Sequence, residues 1–274
     1  MDIGIFTSTF GRSTLGETLD AVGSHDIKNV QFDLPSAGLT DMPDALGDDQ
    51  CATISAGMLE RGITMSGLSG TFNIIHPDLD RRNRDMASLG VLSAACRKLG
   101  TQIVTVCTGT CDPDHMWRRH PDNDSPEAWA AMIASMEIAV GIAEEHDVTL
   151  AFEPEVNNVV DSAAKARRLL DEISSKHLKV VIDGANLFHK GELPRMREIL
   201  DHAFQILGSD IVMAHAKDLS KDGDAGHEAA GTGLLDYGHY IHLFREMDFQ
   251  GALVLHSLEE HQVPSCLAFL RDKL

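Results

Sequence analysis

Eight short apolar runs recur along the 274-residue chain, each separated from the next by a longer stretch of helical periodicity, and this alternation limits the fold more than any other feature. The runs are DIGIF (2–6), NVQFDL (29–34), ITMSGL (63–68), QIVTVC (102–107), VTLAFE (148–153), LKVVID (178–183), DIVMAHAKD (210–218) and GALVLH (251–256). Among the helical stretches, SPEAWAAMIASMEIAVGIAEEH opens with Ser125 and Pro126, a capping hydroxyl followed by a residue whose φ is preset for a first turn. Strand alternating with helix throughout implies a parallel sheet. Eight units in this length have the size of one (β/α)8 barrel, an α/β fold with a single domain over residues 1–274. The runner-up is an open doubly wound sheet, but no Gly-rich dinucleotide fingerprint follows the first strand. The irregular stretch LSKDGDAGHEAAGTGLLD (219–236) is too long for a simple connector and is expected to be a functional loop over one end.

A formal charge of −19 is expected to repel nucleic acid and anionic membranes. No apolar stretch is expected to reach the roughly 18 residues of a membrane span, and MDIGIFTSTF lacks the basic and apolar regions of a signal peptide. The five cysteines (Cys51, Cys96, Cys107, Cys111, Cys266) form no CxxC pair, so free thiols in a cytoplasmic protein are expected.

Chemistry in such barrels sits at the C-terminal ends of the strands. The fifth run ends in Glu153, the sixth in Asp183, the seventh carries His215, and the eighth ends in His256. Each has an ordinary explanation alone: a strand-end acid can cap the next helix, and a histidine can be a satisfied core residue. On four successive strands, however, they are neighbours around one rim. Two carboxylates and two imidazoles suit a divalent cation, Mn2+ first, with Mg2+, Co2+, Fe2+ and Zn2+ as alternatives. A shared cation would also offset the desolvation of Asp183, whose burial as a lone carboxylate costs several kcal/mol.

FEPEVNN, VIDGANLFHKGE, AHAKD, GTGLLDY and FQGALVLHSLEE, in this order and spacing, make the chain resemble the xylose isomerase-like TIM barrel superfamily, which includes ketose 3-epimerases, hydroxypyruvate isomerase and inosose dehydratase. The resemblance covers nearly the whole chain. It implies a metal-dependent enzyme acting on the α-hydroxy-carbonyl part of sugars, with a small sugar or keto-sugar as partner and a homo-oligomeric assembly. The metal set it implies is Glu, Asp, His, Glu; Glu153, Asp183 and His215 match the first three. The chain departs at the fourth, where His256 stands, and at Asn186, where the resemblance implies a substrate-touching histidine.

The chemistry that fits is proton abstraction beside a carbonyl through an enediolate. Glu153, Glu155 and His256 are candidate acid–base groups, and Lys217, on the face of His215, could steady an oxyanion. Asn186 is a candidate substrate contact; Asn73, His76, Cys107 and Asn157 are read first as ordinary loop packing, with substrate contact as the alternative. An isomerase or epimerase ranks first. A lyase or dehydratase on a keto-sugar, keto-inositol or 3-keto-glycoside ranks second, favoured if His256 is a free acid. A non-catalytic sugar-binding barrel and an endonuclease IV-like nuclease rank lower, the latter because of the charge.

Overall fold

A computed structural model describes all of residues 1–274. The strands are β1 (Asp2–Phe6), β2 (Asn29–Phe32), β3 (Thr64–Ser69), β4 (Ile103–Cys107), β5 (Thr149–Glu153), β6 (Leu178–Asp183), β7 (Ile211–Asp218), β8 (Glu228–Ala229) and β9 (Ala252–Leu255). Parallel pairing runs from β1 through β7 in sequence order, then to β9, which pairs back with β1. The sheet therefore closes into an eight-stranded parallel barrel. The open doubly wound alternative is excluded, because a closed barrel has no sheet edge. The two-residue β8 lies outside this count. It pairs antiparallel with the end of β7, Lys217 opposite Ala229, within the long 219–236 loop.

Eight helices surround the barrel: α1 (Leu15–Ser24), α2 (Asp48–Glu60), α3 (Leu79–Leu99), α4 (Pro126–His146), α5 (Ala163–Ile173), α6 (Met196–Leu207), α7 (Tyr237–Glu246) and α8 (Val263–Lys273). Their starts follow local chemistry. The Thr14 hydroxyl accepts from the Glu17 N–H at 3.3 Å while Glu17 accepts from the Thr14 N–H at 3.1 Å, a reciprocal capping box. Ser125 caps α4 as its sequence implies, accepting from the Ala128 N–H at 3.1 Å. Contrary to the sequence expectation, α4 is long and apolar enough by composition to cross a membrane. Here it packs between α3 and α5, with Trp129, Met132, Met136 and Val140 buried.

Most of the core lies between barrel and helices. A smaller cluster, including Ala151, Val181, Met213 and Val254, fills the barrel interior. Side chains alternate along a strand, so those nearer the C-terminal ends are free to line a pocket above this plug.

Asp218, at the end of β7, organises the long loop. Its buried carboxylate accepts from the backbone N–H groups of Leu219 and Leu235 (2.9 Å each), Gly231 (3.1 Å) and Gly233 (3.0 Å). Gly231 has φ +83°, and a Cβ on Gly233 would lie 2.5 Å from Asp218 Oδ1, so glycine at both positions lets the GTG stretch close around this acid. The loop lies over the C-terminal end of the barrel, as expected. The Asn157 amide donates to Asp224 at 3.0 Å, and the Gly226 N–H donates to Asn186 at 2.8 Å.

Candidate metal centre and pocket

Asp183 ends β6 at 0% exposure. Its two oxygens have different surroundings. Oδ1 accepts from the Ala185 N–H at 2.9 Å and caps the following turn, which is the ordinary role of a strand-end acid. Oδ2 is buried and accepts no hydrogen bond. Lys217 Nζ lies 3.1 Å from Oδ2, an ion-pair distance off the line of a hydrogen bond.

His215, on β7, is also buried. Its Nε2 is 2.8 Å from Gln31 Oε1, and Gln31 in turn donates to the Thr105 hydroxyl at 3.0 Å. Because the Gln31 carbonyl can only accept, Nε2 carries the hydrogen, and in the neutral ring Nδ1 presents a lone pair. Nδ1 is buried and has no hydrogen-bond partner. It points between two carboxylates, 3.5 Å from Glu153 Oε1 and 3.7 Å from Asp183 Oδ2. Glu153, at the end of β5, is held by the Asn186 amide, which donates to Oε1 at 2.6 Å.

Donor atoms of Glu153, Asp183 and His215 thus lie within 4.8 Å of one another. Atoms each about 2.1 Å from one ion stand roughly 3–4 Å apart, and the distances from His215 Nδ1 to the two carboxylates, 3.5 and 3.7 Å, fall in that range. Two buried atoms without a hydrogen bond and a matching donor set fit a divalent cation. The electrostatics point the same way. Burial alone would push the His215 imidazolium down, but Glu153 and then Asp183 raise it to about 9. Burial would raise the Asp183 carboxyl, yet Lys217 and His215 hold it well below its usual value. Lys217 is kept charged despite burial by Asp183 and Glu153.

The expected fourth ligand, His256, does not join this cluster. Its ring stacks on Phe6 with centroids 5.2 Å apart and stands 5.1 Å from the ring of His215. Burial, then the neighbouring His215 and Lys217, lowers its pKa well below the usual value, so the ring is neutral.

Glu153, His215, His256 and Cys107 line a cavity of ≈ 400 Å³. It opens at the C-terminal ends of the strands, with Phe6, Gln31, Ser69, Cys107 and Glu153 from the ends of β1 to β5 in its wall. Other sequence candidates take loop-building positions. Glu155 is buried with its carboxylate accepting from the Asn157 N–H and the Asn158 amide, both at 2.8 Å, and burial raises it to about 8. Asn73 donates to the Thr110 carbonyl at 2.8 Å and accepts from the Thr110 N–H at 3.0 Å. His76 sits against the Pro113 carbonyl and accepts from the Asp78 N–H at 3.1 Å. The Cys107 thiol faces the Phe72 carbonyl, and burial pushes it up to about 12, so it is an inert wall group.

Sequence reasoning missed Gln31, Asp33, Asp41 and Trp117, all of which line the pocket. Gln31 had a signal, a polar residue inside the apolar NVQF strand. Trp117 had none beyond being an aromatic residue in a polar loop.

A family model described as "Xylose isomerase-like TIM barrel" matches residues 19–273. Among solved structures, a 3-keto-D-glucoside 4-epimerase from E. coli is 17% identical, with 99% of each chain covered and a TM-score of 0.74. A probable 3-DHS dehydratase from Bacillus anthracis is 12% identical over 100% of both chains at 0.76. A D-psicose 3-epimerase from Clostridium cellulolyticum H10 is 15% identical over 100% of this chain and 99% of that one, at 0.74. At these identities the likeness establishes the fold. No curated protein sequence matches the chain.

Proposed function

The chain belongs to the xylose isomerase-like TIM barrel family, and from that premise we propose that it is a divalent-metal-dependent isomerase or epimerase of a ketose or keto-sugar. The observation that carries this is the convergence of Glu153, Asp183 and His215 on one point, with Asp183 Oδ2 and His215 Nδ1 buried and without a hydrogen bond. Epimerases and a dehydratase among the proteins of similar fold support a sugar as the substrate. Three protein ligands leave coordination positions for substrate, the pattern of a catalytic rather than a structural site.

When bound there, the cation would polarise the substrate carbonyl and acidify the neighbouring C–H. The residues of the chain do the rest. Glu153 reaches the pocket and keeps one oxygen free of the Asn186 amide, so it is placed to remove the proton. Gln31 holds His215 in the tautomer that offers Nδ1. Lys217 keeps a positive charge beside Asp183, where it favours a developing oxyanion. In an isomerisation Glu153 returns the proton it took to the neighbouring carbon; in an epimerisation His256, in the pocket wall where the resemblance implies a glutamate, takes up a proton from solvent and delivers it to the opposite face while Glu153 releases its own to solvent.

The same placement of His256 outside the ligand cluster supports a second reading, a lyase in which the imidazole, once protonated by the substrate, returns that proton to a leaving oxygen. Elemental analysis of the purified protein, followed by ketoses and 3-keto sugars with product stereochemistry read by NMR, tests both. A protein that takes up no divalent cation in the wild type, or whose Asp183→Ala variant still holds a full equivalent tightly, contradicts the proposal. An epimeric or isomeric product selects the first reading, and loss of water the second.

A further inference from the structure

The pocket has two unlike halves. Glu153, His215 and His256 form the side nearest the proposed cation. The opposite side comes from the ends of β1 to β4 and the loops beyond them, and carries Ser8, Asp33, Asp41, Ser69, Thr71 and Thr105. No lysine or arginine lines either half.

Asp33 follows β2 and is only 7% exposed. The Thr7 hydroxyl donates to its Oδ1 at 2.5 Å and the Ser36 hydroxyl donates to the same oxygen at 2.6 Å. The Asp33 N–H returns to the Thr7 oxygen at 3.1 Å, which locks the side chain in place. Its other oxygen, Oδ2, accepts no hydrogen bond from the protein, and no cation pairs with the residue. The ordinary structural explanation fails. Asp33 occupies the N-cap position of the Leu34–Ala37 turn, yet its side chain makes no capping bond. A nearly buried carboxylate without a cation is costly, and two hydroxyls on one oxygen orient it without neutralising it. Asp41, an exposed residue of the same half, has neither an ion pair nor a hydrogen bond, and Asp33, after burial, raises its pKa.

We infer that this distal half selects a substrate that presents hydrogen-bond donors to Asp33 and Asp41 and carries no anionic group there: an uncharged or amino-bearing sugar, and not a sugar phosphate or sugar acid. The inference rests on the sugar-enzyme reading above and specifies its substrate class. A hydroxyl or ammonium donor satisfies Asp33 Oδ2 directly, whereas a phosphate meets two carboxylates with no compensating cation on that side.

The test is calorimetric titration of the metal-loaded full-length protein with a panel of hexuloses, their 6-amino-6-deoxy derivatives and their 6-phosphates. The 6-phosphates should bind at least tenfold more weakly than the parent sugars, and the amino derivatives at least as tightly. Asp33→Asn keeps an oxygen for Thr7 and Ser36 but turns the free acceptor into a donor. It should weaken the parent sugars at least tenfold, while Asp41→Asn should narrow the phosphate penalty, each variant retaining a full equivalent of metal. The inference is overturned, with the sugar reading intact, if 6-phosphates bind as well as their parents or if both variants leave the binding profile unchanged. If no sugar of any charge binds the metal-loaded protein, both the reading and the inference fail.

Discussion

Asp218→Asn tests whether one carboxylate holds the 219–236 loop over the C-terminal end of the barrel. The wild-type carboxylate receives four backbone N–H groups at 2.9–3.1 Å, two on each oxygen. Asparagine keeps one acceptor oxygen and turns the other into a donor that faces two N–H groups. A hydrogen bond to a charged group contributes roughly 1.5–3 kcal/mol, so losing two represents about 3–6 kcal/mol gross. The loop can instead lift and give its N–H groups to water, which caps the net loss at the local opening energy, about 2–4 kcal/mol. Urea denaturation should show a loss in that range, and hydrogen exchange should show residues 231–235 losing protection first. Metal content should be unchanged, because Glu153, Asp183 and His215 stand on barrel strands. A variant within about 0.5 kcal/mol of wild type, with those amides still protected, would refute the assignment of Asp218 as the anchor.

Metal loading should be coupled to protons at His215. With the imidazole raised to about 9, Nδ1 is protonated in the metal-free protein at neutral pH and must deprotonate to bind. Apparent metal affinity should therefore rise up to about tenfold per pH unit toward pH 9, and a flat profile from pH 6 to 9 contradicts this. The folded-state pKa exceeds the unfolded value of roughly 6.5, so the associated stability is present below that value and is lost as pH rises through about 9; thermal denaturation of the metal-free protein should show the loss and the metal-loaded form should not. Tyr240→Phe removes a buried hydroxyl that accepts from the Gly184 N–H at 3.2 Å and faces the Ile182 and His215 carbonyls at 3.2 and 3.3 Å. Loosening the ends of β6 and β7 should weaken metal binding on the order of tenfold, measured by chelator competition, and unchanged affinity argues against this positioning role. Thr14→Ala breaks the capping box of α1 and should lower stability by about 1 kcal/mol in urea denaturation without altering metal uptake.

How much was legible in the sequence follows from the range over which each interaction acts. The strands and helices are local, and the parallel order follows from the alternation, so the barrel could be read from the chain. Glu153, Asp183 and His215 were legible because a strand end is a local landmark and β5, β6 and β7 are successive neighbours. Gln31 was not, because it meets His215 across the barrel from 184 residues away. Asp33 escaped for a related reason: only the folded pocket distinguishes an acid that caps a turn from one that leaves an oxygen free. For Asn73, His76 and Glu155 the ambiguity is of another kind: each makes loop hydrogen bonds. Their polar side chains satisfy the backbone of the long βα-loops, a demand that sequence position alone does not separate from substrate contact.

The charge balance of the centre ties these residues together. Without a cation, Glu153 and Asp183 face a protonated His215 and the Lys217 ammonium, two negative charges against two positive. Exchange of the His215 proton for a divalent ion raises the local sum by one positive charge. That surplus lies where a substrate carbonyl would acquire negative character, in a buried pocket where charges are weakly screened. A metal-free centre is balanced and has no reason to prefer an enolate over a ketone. A loaded centre, as proposed, would have one, with the buried Lys217 keeping two carboxylates from cancelling the ion. Under the proposed function, replacing Lys217 by a neutral residue would restore the balance, which would give it a part at the oxyanion beyond its ion pair with Asp183.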